Sequence, residues 1–292
     1  MNKTLLGVLC GLGAAAIWGG MYVVSKVVLE IIPPFTLVTL RLVLGGLTLW
    51  LIRVLRGGTR IGPKQFWQIF GVGVIGYGIS LGFQFVGTSL STAANGSLVT
   101  SATPAFILLF AWLILRERIT ILRLAALLVS TLGVVAVIDP RTAHLNPELF
   151  WGNLSLLGAA LTWAIYSVLI RIVTRKVDVL TVSLIAFIGG LPIVIPGGGW
   201  ELSKTGIGPV SLGILGGVLF LGIISTALAM VLWNTAFAVL DASLASLTFF
   251  AQPVVGTLLG WLFLKETITP LFLLGGFFIA MGLIIASMDS GT

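Results

Sequence analysis

One cysteine, one histidine and little charge limit what this chain of 292 residues can do. Cys10 has no second cysteine to pair with, so no internal disulfide can form. With His144 as the sole imidazole, a Cys–His metal site and a Cys–His nucleophile pair are both out of reach. There is no Walker A sequence, so the chain does not hydrolyse ATP through a P-loop, and no cofactor is implied. Charged residues make up 9% of the chain, against about 25% in soluble domains. With 58% hydrophobic residues and a mean hydropathy of +1.17, the chain cannot wrap its core in a polar shell. Its solvent is therefore mostly lipid, and it reads as an all-α integral membrane protein.

A helix needs about 20 apolar residues to cross about 30 Å of hydrocarbon. Apolar runs at 5–29, 34–53, 66–88, 92–115, 120–138, 151–171, 179–196, 210–237, 242–264 and 269–287 predict ten transmembrane helices. The weakest boundary is at Asp241, the only charge between the eighth and ninth runs, and GGGWELSKTGIG (197–208) reads as a loop. The opening MNKTLLGV is signal-like, but the run is too long and no cleavage site precedes a polar segment, so it reads as the first span. With the N-terminus inside, Lys and Arg divide 11 to 4 in favour of the cytoplasm, and both termini are expected there. The net charge of +7 then reflects topology and anionic headgroups. Basic residues scattered over short loops argue against nucleic-acid binding.

What the sequence does have is a repeat. At an offset of 149, Pro104 meets Pro253, Trp112 meets Trp261, Glu117 meets Glu266, Thr120 meets Thr269 and Gly133 meets Gly282. At an offset of 145, LGAAAIW (12–18) meets LGAALTW (157–163), which lays Trp18 over Trp163, and Thr36 meets Thr181. Two five-helix copies are expected, residues 1–143 and 144–292. An odd helix number inverts the second copy, an arrangement common among secondary transporters with a midplane site. Glu117 and Glu266 sit in turns where helix-start N–H groups favour an anion, and Thr120 and Thr269 suit N-caps, so capping is the favoured role there.

Two copies that each end P-x(7)-W-x(4)-E-x-x-T, with the paired LGAAAIW and LGAALTW starts, resemble the EamA-like branch of the drug/metabolite transporter superfamily over essentially the whole chain. The resemblance implies ten helices with inverted pseudo-symmetry and a central cavity lined mainly by helices one, three, four, six, eight and nine. It also implies alternating access, a bacterial-type inner membrane, and export of amino acids or related small metabolites, as in the YddG-type exporters.

Midplane residues are candidates for the substrate path. Trp18 and Tyr22 share a face of the first span, and Trp163 and Tyr166 lie at the same depth in the sixth. Tyr77, Ser80 and Gln84 share a face of the third, and the eighth offers Thr226. Pro104 and Pro253 interrupt the fourth and ninth spans beside Thr100, Thr103, Thr248 and Gln252, making them candidate hinges whose freed carbonyls must face protein or a wet cavity. Packing alone remains an alternative for each. Arg41, the one charge deep in a span, can hold a substrate carboxylate or pair with carbonyls. Its counterpart is the uncharged Ala186, and the resemblance puts helix two outside the cavity wall, which favours a structural role. The expected function is export of neutral amino acids, aromatic ones included, or related small metabolites; a multidrug or other metabolite efflux carrier is the alternative. No buried acid, base or nucleophile pair supports an enzyme, and a passive channel would give flux without saturation.

Overall fold

The computed structural model describes residues 2–91, 99–138, 149–264 and 270–288. Glu266 and Thr269 lie outside them, as does His144. The described residues are helical, with no strand: α1 (Lys3–Leu29), α2 (Pro34–Arg56), α3 (Pro63–Leu90), α4 (Thr103–Leu115), α5 (Ile121–Ile138), α6 (Phe150–Val173), α7 (Val179–Lys204), α8 (Leu212–Val239), α9 (Ala242–Leu247, a 3-10 turn at Thr248–Phe250, then Ala251–Leu264) and α10 (Pro270–Met288). Six of these, α1, α2, α3, α6, α7 and α8, are long and apolar enough to cross a membrane, and the others contain shorter apolar helices.

Local chemistry sets the boundaries. Pro34 and Pro63 open α2 and α3 at a position whose N–H has no intrahelical partner. Asn2, Ser211 and Thr120 cap α1, α8 and α5 by accepting the N–H of Thr4, Ile214 and Arg123. Asp178 caps α7, accepting from Thr181 N–H and from Thr59 N–H. Partial burial pushes its carboxyl pKa up, but these hydrogen bonds outweigh that and hold it down at about 2. The break at Asp241 is sharp: α8 ends at Val239, and Asp241 is extended before α9.

One boundary differs from expectation. The loop predicted at 197–208 is helical as far as Lys204, with Pro192 and Pro196 inside α7. The extension brings Glu201, only 9% exposed, to the start of α2, where its carboxylate accepts from the backbone N–H of Phe35 and Thr36 and from the Thr36 hydroxyl. The prolines and glycines are tolerated because α2 grips this stretch, Thr39 donating to the Val194 carbonyl and Thr36 to that of Gly198.

Polarity is inside out. Leu55, Ile121 and Leu212 are among the most exposed side chains, and Trp67, Trp151 and Trp200 are exposed near helix ends, as an aromatic belt requires. Arg41, Ser225, Thr226, Asn234 and Ser183 are fully buried. Among the described residues, the most extensive packing is of α5 with α10, α3 with α6, α3 with α7, α1 with α8, α1 with α9, α2 with α7, α2 with α8 and α4 with α6. Exchanging the first five helices for the last five leaves that list unchanged. Both α3 and α8 pass through π-helical segments, Val74–Ser80 and Phe220–Leu228.

Glycine lets one of these crossings happen. A Cβ at Gly73 would overlap the Ala186 carbonyl, and one at Gly189 would overlap that of Phe70, so α3 and α7 touch backbone to backbone. Replacing Gly73 by valine should cost about 2–3 kcal/mol of overpacking. The expected readout is a clear fall in the melting temperature of the detergent-solubilised protein. The same change at Gly46, where a Cβ meets nothing within 4 Å, should leave it unmoved.

Candidate functional site

A cavity of about 30 Å³ lies among α1, α2, α3, α4, α6, α8 and α9. It is narrow, so a ligand the size of an amino acid needs its walls to part. Of the residues singled out in the sequence, Trp18, Ser80, Gln84, Thr100, Thr103, Trp163 and Gln252 line it. They come from five helices and from both halves of the chain.

Its two walls differ. On one side, Trp18 meets Trp163 edge-on at 5.7 Å between ring centroids, Trp233 at 5.2 Å and Phe249 at 6.1 Å. Such pairs contribute about 0.5–1.5 kcal/mol each beyond their burial. The Trp18 indole N–H donates to the Ser225 carbonyl in the π-helical part of α8, where the changed register leaves carbonyls open to side chains. The Trp163 indole N–H has no acceptor among the described residues, and Trp163 borders the cavity. On the other side, Gln84 donates through Nε2 to the Tyr22 hydroxyl at 3.0 Å, and that hydroxyl shares a hydrogen bond with Thr100. Ser80 donates to the Ala159 carbonyl at 2.9 Å. No Asp or Glu is among the lining residues.

The remaining candidates stand behind the walls. Tyr22 is buried behind the lining, and its hydroxyl bonds to Gln84 and Thr100, which border the cavity. Tyr77 and Tyr166 do not line it. Their hydroxyls bond to each other, Tyr166 donates to Asn234 Oδ1 at 2.8 Å, and Asn234 donates to Ser183. The Tyr166 ring stacks on Trp163 at 4.7 Å, so this network supports the aromatic wall. Thr226 accepts from Arg41 and donates to the Leu221 carbonyl. Thr248 donates to the Ala245 carbonyl and fills the space beside Gly11. Pro104 and Pro253 do not bend continuous helices. Pro104 stands in the first turn of α4, after a turn at Ser101–Ala102, and Pro253 just after the 3-10 turn of α9.

Arg41 corrects the expectation that helix two stands outside the wall. Its guanidinium is fully buried and borders the cavity. The sequence marked its depth but not its direction, which is fixed by the crossing of α2 with the π segment of α8. Met21, Leu81, Ala159, Ala160, Met230 and Phe249 also line the cavity without having been singled out. For Ala159 and Ala160 a signal was present, since they precede Trp163 by four and three residues in the repeated LGAA stretch. Phe249 stands three before Gln252, on the same side of α9.

A second polar cluster closes one end of the bundle. Asp241 takes Arg171 at 2.7 Å and Arg123 at 2.9 Å, while Arg171 also pairs with Glu117 at 3.3 Å. The Glu117 carboxylate accepts the backbone N–H of Ala242 and Ser243, so it caps α9 and not the helix that follows it in sequence. At the opposite end Lys26 donates to the carbonyls of Thr88 and Ser91.

The model of the EamA-like transporter family matches the chain twice, over residues 5–138 and 150–288. The chain is 24% identical to the uncharacterized transporter YoaV of Bacillus subtilis over 97% of its length and 96% of the relative's. It is 27% identical to an uncharacterized transporter of Archaeoglobus fulgidus, covering 92% and 94%. It is also 26% identical to protein PecM of Dickeya dadantii, covering 93% and 89%. One protein of known crystal structure superposes with a TM-score of 0.81 at 23% identity, over 97% of this chain and 96% of the other, and so shares the fold.

Lining and support separate experimentally. Tyr77→Phe removes a buried hydrogen bond and should cost about 1–3 kcal/mol, read as a lower melting temperature with little change in the concentration of solute giving half-maximal transport. Gln84→Ala should do the reverse, raising that concentration several-fold at near-normal stability.

Proposed function

The chain belongs to the EamA-like transporter family, and on that premise we propose that it exports neutral amino acids, aromatic ones included, or closely related metabolites by alternating access. It is a multi-pass membrane transporter and not an enzyme. The observation that carries the amino-acid assignment is the cavity with one aromatic wall and one wall of hydroxyls and amides. An apolar side chain packs on Trp18, Trp163 and Phe249, and the polar end meets Gln84, Gln252, Thr100 and Thr103. Tyr22 orients Gln84, and Tyr77 with Tyr166 holds Trp163 in place.

The carrier has ten spans in two inverted copies, 1–143 and 144–292, with both termini on the cytoplasmic side of the inner membrane. Three observations support this. The family model matches each half once. The helix pairs are unchanged on exchanging the halves. Single contacts also correspond: Arg171 donates to the Phe237 carbonyl as Lys26 donates to that of Thr88, and these pairs are related by the same offsets of 145 and 149 found in the sequence. The copies rock about the cavity, with the breaks before Pro104 and Pro253 as hinges. The cluster of Glu117, Arg123, Arg171 and Asp241 is the closed cytoplasmic gate.

Uptake of labelled amino acids into proteoliposomes tests the assignment. Saturable uptake by the wild type, reduced at least ten-fold in Trp163→Ala and Gln252→Ala at near-normal stability, is expected. Flux of a cationic dye with no uptake of any amino acid would instead identify a drug efflux carrier. For the gate, Asp241→Asn weakens partly exposed ion pairs worth about 0.4–1 kcal/mol. Exchange should change about two- to five-fold without altering which solutes compete; an unchanged rate would remove the cluster from the gating step.

A further inference from the structure

Among the described residues Arg41 is the only charged one bordering the cavity, and its bonding is unfinished. Its Nε donates to Thr226 Oγ1 at 3.0 Å, and Nη2 donates to Ser225 Oγ at 3.3 Å and, weakly, to Met21 Sδ at 3.5 Å. The Phe85 ring lies 4.7 Å from the guanidinium carbon. Nη1 is buried and has no hydrogen-bond partner among the described residues. Among those residues no salt bridge reaches Arg41 either; the ion pairs gather around Glu117 and Asp241 at one end of the bundle. A fully buried cation is thus held by two hydroxyls, a thioether and a ring, with one nitrogen unspent.

An arginine retained only for structure within a membrane is expected to spend its donors on carboxylates or carbonyls. The repeat does not call for it either, because the second copy has Ala186 at the corresponding position. What the guanidinium lacks is an anion, and its planar fork matches a carboxylate better than any other small group. Ser225 and Thr226, both in the π-helical segment of α8, fix Nη2 and Nε and so leave the Nη1 side of the fork for a ligand.

The geometry points to Arg41 as the group that recognises the substrate's carboxylate, so that the carrier selects organic acids and amino acids with a free carboxyl and rejects their esters and cationic amphiphiles. This rests on the transport reading above and divides the substrate's polar end, giving the carboxylate to Arg41. With the carboxylate on Arg41, the amide oxygens of Gln84 and Gln252 accept from the substrate's α-ammonium, and the apolar remainder lies against Trp18 and Trp163. Among the described residues, no lining acid competes with such a carboxylate for Arg41.

The test uses three probes that differ only at the two ends of the α-carbon: phenylalanine, phenylalanine methyl ester, which lacks the carboxylate, and 3-phenylpropionate, which lacks the ammonium. The melting temperature of the detergent-solubilised full-length protein is followed with each, and competition with labelled substrate in proteoliposomes follows. Both acids should stabilise the wild type and compete at least ten-fold better than the ester. Arg41→Lys should keep the order with weaker discrimination, and Arg41→Met should abolish it. An ester as effective as the acids overturns the assignment, and so does a protein that neither acid stabilises. The comparison is made on the unaltered protein, so a poorly folding Arg41→Met does not blunt it. If 3-phenylpropionate is carried and no amino acid is, Arg41 stands and the amino-acid assignment falls. If phenylalanine and its ester are carried alike, the reverse holds.

Discussion

Hydrocarbon offers no hydrogen bonds, and a chain with 9% charged residues has no other solvent to turn to over most of its length. Each polar group away from the headgroups must therefore find its partner inside the protein. This explains why the buried interior holds the serines, threonines and Asn234, while leucines and tryptophans face outward. It also explains why so many hydroxyls bond back to carbonyls of their own helix, as Thr48, Thr131, Thr162 and Thr235 do four residues earlier. Against that background a donor left unspent stands out. A cavity is the one place in such an interior where an unfinished polar group can wait for a partner that comes and goes.

The helix irregularities follow from the same constraint. A π-helical turn shifts the hydrogen-bond register and leaves carbonyls open, and in α8 two are used at once: Ser225 accepts the Trp18 indole and Leu221 accepts the Thr226 hydroxyl. The break before Pro253 falls in a 3-10 turn where Thr248 donates to the Ala245 carbonyl. In water such lapses could be filled by solvent, but here the side chains that fill them are also those that shape the cavity. Irregular backbone and functional site therefore coincide for a physical reason.

Much of the helical layout was legible because apolar runs, helix-opening prolines and short polar separators are strong local signals. The Trp18 and Trp163 pair was legible through the repeat, and Gln84, Thr100, Thr103 and Gln252 through their depth among apolar neighbours. Other features depend on what a helix packs against. The direction of Arg41 is set by α8, and the retreat of Tyr77 and Tyr166 into a network with Asn234 requires three helices to meet. The helical state of 197–204 runs against local propensity and is secured by contacts from α2. The π segments share no local mark, since VIGYGIS, AWLIL and FLGIISTAL have no pattern in common.

The two halves share a scaffold but furnish it differently. The offsets that superpose the copies pair Trp18 with Trp163, but they also pair Gln84 with Trp233, Thr100 with Phe249, Thr103 with Gln252 and Arg41 with Ala186. Packing partners are preserved under the exchange while cavity chemistry is not. In the proposed rocking carrier, a set of helix contacts that maps onto itself would give the two end states similar packing energy, so that neither traps the protein. The side chains facing the cavity contribute little to that balance, so they are free to differ. One copy has become mainly the polar wall and the other mainly the aromatic one, and a solute with one polar and one apolar end fits between them in a single orientation. Under the proposed function, the repeated backbone carries the motion, and the departures from the repeat carry the selectivity.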